Sequence, residues 1–134
     1  MLGLREQIMA VKFEWLDDKK SILCYSFIGH WSWEEAWTTV YEAREQYRQF
    51  DHTVDVIVDF SESGMIPGEA LTHLRKLVGT RTANLGIVVI AGGNVIVRTI
   101  INMGKPLLPV LMAFEIMDTR AEGLAYIYKM RSTV

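Results

Sequence analysis

Apolar and polar positions alternate from Met9 to Trp15. Met9, Val11, Phe13 and Trp15 fall on one side and Ala10, Lys12 and Glu14 on the other, the two-residue period of a strand with one buried face. Asp17, Asp18, Lys19 and Lys20 then form a turn. The run Ser21 to Gly29 is aromatic and aliphatic with Leu23, Tyr25 and Phe27 on one face, so the two runs predict a hairpin. After it the period lengthens. Ser32 stands three residues before Glu35, the spacing at which each side chain satisfies a backbone donor of the other, and a helix is predicted from Trp33 to Phe50. Trp33, Ala36, Trp37, Val40, Tyr41, Ala43 and Tyr47 share its apolar face, opposite Glu34, Thr38, Glu42, Glu45 and Gln49. Arg44 and Arg48 fall within that face, with stems expected along the rings and guanidinium groups in water.

Val54, Val56, Val58 and Phe60 face one way and Ile57 the other, so this strand is expected to be central, with helices over both faces of its sheet. A small-residue loop and an amphipathic helix ending at Gly79 follow it. The same strand-then-helix order recurs over Leu85 to Gly104 and again over Leu111 to Met130, where Thr119 and Glu122 repeat the capping spacing. The predicted fold is α/β, of order ββαβαβαβα: a mixed, mostly parallel central sheet with an N-terminal hairpin and helices packed on it.

Length and charge narrow the functions open to such a fold. The 134 residues suit one domain, 1–134, and 14 Lys plus Arg against 16 Asp plus Glu give a net charge of −2, with no field to attract nucleic acid. Cys24 is the single cysteine, which excludes an intrachain disulfide and agrees with a reducing cytoplasm. Arg5 and Glu6 precede any long apolar run, unlike a secretory signal, so a cytoplasmic location is expected. The densest apolar region, from Leu85, is interrupted by Gly92, Gly93, Asn94 and Arg98 before reaching the ~20 residues of a membrane span, so no transmembrane segment is expected.

The element order, with IVVIAGGNVIVRTI at 87–100 and FEIMDTRAEGLAYI at 114–127, resembles the STAS domain (sulfate transporter and anti-sigma factor antagonist). Within it the chain is most similar to the SpoIIAA-like branch of single-domain bacterial proteins. The resemblance covers about 10–130 and implies a non-enzymatic regulatory or protein–protein interaction module. Anti-sigma antagonists carry a phosphorylatable Ser or Thr at the start of the second helix, usually in Asp-Ser-Ser-Gly. Here that stretch is Pro67, Gly68, Glu69, Ala70 and Leu71, and Glu69 falls at the phosphoacceptor position. An ordinary first-turn Glu, favoured by the helix dipole, is the preferred reading of this position over mimicry of a phosphorylated residue, as turn chemistry is for Ser61 and Ser63. The resemblance implies a protein partner docking over Ser61 to Arg75, with Ser61, Ser63, Met65, Ile66, Glu69 and His73 as the interaction surface.

Other candidates come from the residues themselves. Gly92, Gly93 and Asn94 join a strand to a helix, and with Asp59 and Arg98 they could form an anion or ligand loop, although a tight turn explains the glycines too. The following helix has an apolar arc wider than a one-sided helix needs. Val97, Ile101 and Leu108 are its candidate patch, for a partner, a homodimer face or an apolar ligand. Trp15, Trp31, Trp33, Trp37, Tyr41 and Tyr47 crowd the first third of the chain, as core or as the lining of a pocket between sheet and helices. That pocket is the basis of the alternative function, a carrier or sensor of a small apolar or lipid-like ligand. His30, His52 and His73 lack metal-site spacing and no Ser lies in a G-x-S-x-G elbow, so neither a metal, a cofactor nor a nucleophilic enzyme is expected.

Overall fold

The computed structural model describes residues 9–93, 95–104, 106 and 114–133, the side chains of 95–97, 100 and 101 excepted. Strand β1 (Val11–Trp15) pairs antiparallel with β2 (Ile22–Gly29), Val11 opposite Phe27 and Trp15 opposite Leu23. Helix α1 (Trp33–Tyr47) starts in a capping box: Glu35 N–H donates to Ser32 Oγ and Ser32 N–H to Glu35 Oε1, each at 3.1 Å. It stops earlier than the predicted Phe50, because Arg48 caps it and Phe50 N–H turns back to the Tyr47 carbonyl. Tyr41, expected on the apolar face, is 51% exposed, since the buried stripe of α1 runs through Ala36, Val40, Ala43 and Tyr47 and leaves Tyr41 at its margin.

Strand β3 (Val54–Ser63), helix α2 (Ala70–Gly79), strand β4 (Leu85–Ala91), helix α3 (Val95–Gly104), strand β5 (Phe114–Met117) and helix α4 (Arg120–Ser132) complete the chain. The first part of the predicted last strand, 111–113, lies outside the described residues. The sheet order is β1-β2-β3-β4-β5, parallel from β2 onward. Parallel strands laid down in chain order by crossovers of one hand carry their connecting helices on a single face. Leu23, Tyr25, Phe27, Val56, Phe60, Val88, Ile90 and Phe114 form that face, in one core with Ala36, Val40, Ala43 and Tyr47 of α1 and Val78 of α2. Helix α3 runs beside α2, with Gly104 against Leu71 and Leu74.

The opposite face is left for the C-terminal helix. Ile22, Cys24, Ile57, Val89 and Ala91 close a second core with Ile127 of α4. At Gly123 a side chain would begin 2.9 Å from Val89 Cγ1, so the glycine lets α4 lie directly on β3 and β4. Among the described residues α2 approaches α3 more extensively than it approaches any one strand, whereas α4 lies along β3, β4 and β5. Helix α2 therefore rides higher above the sheet than α4 does. No helix among the described residues is long and apolar enough to cross a membrane.

Candidate functional site

The height of α2 leaves a cavity of about 140 Å³ between the sheet and helices α1 and α2. Tyr25, Val56, Val58 and Ile90 lie in its floor, and side chains of α1, α2 and the β3–α2 loop form its walls and roof. Val58 sits within a central strand, packs against the main core and is nevertheless only half-buried.

Three indole N–H groups hold the roof in place. Trp31 Nε1 donates to Ser63 Oγ at 2.9 Å, Trp33 Nε1 to the Gly68 carbonyl at 2.7 Å and Trp37 Nε1 to His73 Nδ1 at 2.9 Å. Trp33 also stacks on His73, rings 4.4 Å apart and 13° from parallel, and meets Trp31 edge-on at 4.9 Å. The aromatic crowding noted in the sequence is thus a clamp from the start of α1 to the β3–α2 connection. An indole suits this because its apolar body packs inward while its single donor reaches a polar partner.

One charged group stands in this apolar wall. Arg44 is 6% exposed, which overturns the expectation that its guanidinium is in water. Its Nη1 donates to Thr80 Oγ1 at 2.9 Å and to the Thr80 carbonyl at 3.2 Å, and its Nη2 to the Leu77 carbonyl at 2.8 Å. A helix whose last carbonyls lie over a buried position draws a cation there, and α2 takes Arg44 from α1. Arg44 Nε is buried without a hydrogen-bond partner. Arg48, one turn on, is half exposed and pairs with Glu45, as its position predicts. Burial pushes the Tyr25 phenol well above its ordinary pKa and Tyr47 beside it adds to the rise, while the Arg44 charge opposes it.

The residues singled out in the sequence are divided by the structure. Ile66 lines the cavity and Ser63 and His73 hold its roof, while Met65 is 70% exposed at the outside of the same loop. Glu69 is the N-cap residue of α2 with a left-handed backbone, φ 66°, and its carboxylate makes no capping hydrogen bond. Ser61 N–H donates to Asp59 Oδ1 at 2.9 Å, so Asp59 braces its own loop. Gly92 N–H is taken by the Met117 carbonyl at 3.2 Å, and Arg98 pairs with Asp118. Gly92 has φ 70° and Gly93 φ 85°, the turn geometry that glycine permits. Asn94, Leu108 and the side chains of Val97 and Ile101 lie outside the described residues. Among the described residues no cluster of three or more His, Cys, Asp or Glu could hold a metal. Cys24, buried in the second core, has its thiol pushed up to about 11 by burial, against a weaker opposing effect of Arg120.

The sequence placed Arg44 among rings but could not show it buried, because that depends on where α2 ends in space. Comparison with protein-family models, with curated proteins and with solved structures gives no match to this chain.

Proposed function

We propose that the chain is a binding protein, a carrier or sensor, for a small apolar ligand held between the sheet and helices α1 and α2. One observation carries the reading: every described residue lining the cavity except Arg44 is apolar or aromatic, around a volume of about 140 Å³. Well-packed interiors seldom keep such spaces, and an apolar cavity of ~150 Å³ is enough to bind benzene. Trp33, in the wall and hydrogen-bonded to the roof, would report an occupant by its fluorescence.

Toluene titrated into the protein tests this. The expected result is a saturable change in tryptophan emission and a rise in melting temperature, since a ligand at 100 times its Kd stabilises the folded state by about 2.7 kcal/mol. Val58→Phe, which places a ring in the cavity, should abolish both. An unchanged wild-type melting curve at the aqueous solubility limit of toluene would refute the reading.

A second reading, the regulatory interaction module implied by the STAS resemblance, is favoured by the β3–α2 loop. Met65 is 70% exposed there and the Glu69 carboxylate is not spent on capping. The partner would dock on the outer side of the loop that roofs the cavity. Glu69→Lys should then weaken capture of a specific partner in pull-downs; equal recovery of every protein by wild type and variant would remove this surface from consideration.

A further inference from the structure

We infer that the ligand of this cavity is a small single-ring or short-chain carboxylate whose anionic head pairs with Arg44. The inference rests on the ligand-binding reading and adds the chemistry of the ligand's polar end.

Arg44 is a cation 6% exposed, and the groups it donates to are two carbonyls and one hydroxyl, all neutral. Among the described residues no carboxylate is paired with it. Tyr25 does not supply the missing charge, because its burial holds the phenol in the neutral form. A buried cation without an anion is costly, and interiors ordinarily provide the counter-charge themselves. Here one donor, Nε–H, is also buried and unpartnered, in a residue of the cavity wall. The two remaining nitrogens hold α2, so the guanidinium is fixed before any ligand arrives. A carboxylate seated beside Arg44 neutralises the charge, and its oxygen accepts from the covered Nε–H once a neighbouring wall side chain shifts aside, in the charge-assisted geometry for which guanidinium is suited.

The volume limits the remainder of the ligand. About 140 Å³ accommodates one aromatic ring or a short acyl chain. Tyr25, Phe27, Trp33, Tyr47, Phe60 and Phe114 contribute rings to the lining, which favours an aromatic body through edge and face contacts.

Calorimetric titration of benzoate, benzamide and toluene into wild type, Arg44→Gln and Val58→Phe tests the inference. Benzoate and benzamide match in shape and differ in charge, and a charge-assisted hydrogen bond predicts benzoate binding about tenfold or more tightly. The preference should vanish in Arg44→Gln, and all three probes should fail to bind Val58→Phe. Equal or weaker binding of benzoate than benzamide to wild type overturns the inference, as does a benzoate preference that survives in either variant. Toluene binding without a benzoate preference overturns the carboxylate assignment and leaves the apolar cavity standing. Failure of all three probes overturns both. Should Arg44→Gln not fold, the wild-type probe series together with Val58→Phe decides the matter.

Discussion

Asp17 shows how much one side chain can organise. Its Oδ1 accepts from the backbone N–H groups of Ser21 and Ile22, each at 2.9 Å, and the Ser21 hydroxyl donates to its other oxygen. Partial burial pushes its pKa up, but these hydrogen bonds and the field of Arg131 outweigh it, leaving the carboxyl below its ordinary value. A depressed folded-state pKa contributes stability that is fully present above the unfolded value of ~3.9 and lost as pH falls through the folded one. Asp17→Asn should therefore melt below wild type at neutral pH, and the two melting temperatures should converge as pH falls through the lowered folded-state pKa. Paired thermal melts across that range check this; a constant gap would mean the ionised carboxylate is not the source. The same turn was legible in the sequence as a cluster of charged residues, whereas the Asp17 clamp depends on the chain reversing at Lys20, whose φ is 52°.

At the scale of elements, two helices meet the same sheet differently, and single residues account for it. Gly123 lets α4 lie on Val89, whereas α2 turns the larger Leu74, Leu77 and Val78 to the core. Gly123→Val is expected to destabilise by roughly 2 kcal/mol, the overpacking penalty exceeding the gain in helix propensity. Denaturant unfolding measures it, and a neutral or stabilising result would show that α4 has slack against the sheet. The starts of α1 and α4 were readable from Ser32 with Glu35 and Thr119 with Glu122, because capping is a local exchange of hydrogen bonds. The start of α2 was not so marked. Glu69 there adopts a left-handed backbone with no side-chain cap, next to Gly68, whose carbonyl accepts from Trp33 Nε1.

Across the whole molecule, the far end of the sheet is tied by a single buried carboxylate. Asp55 is 4% exposed; its Oδ1 accepts from Ile87 N–H at 2.7 Å, and its Oδ2 from Arg131 Nε at 2.9 Å and Nη2 at 2.8 Å. Arg131 Nη2 also reaches the Ser21 carbonyl at 3.0 Å, so one side chain links α4, β3 and the hairpin turn. Arg131→Gln should cost roughly 2 kcal/mol, less than breaking a wholly buried pair because Arg131 keeps part of its side chain in water. Thermal and urea unfolding should show it, while ligand affinity should hold, since the cavity lies on the opposite face of the sheet. A parallel fall in toluene affinity would show that the two faces are coupled. The lone Asp in the apolar run VDVIV was visible from the start, but its partner, 76 positions further along, was not.

The order of hydrophobic periods in the chain was sufficient to determine strand and helix sequence, the hairpin, the central position of β3 and the capped helix starts. Each of these follows from burial of one face or from hydrogen bonds within a few residues, both encoded locally. Tertiary structure alone decided that α2 stands off the sheet, that three tryptophans bond the end of β3, the loop after it and α2 beside the resulting cavity, and that Arg44 is buried in its wall with no carboxylate partner among the described residues. Those features arise from distances between elements remote in sequence, where a residue's surroundings are set by packing and not by its neighbours along the chain.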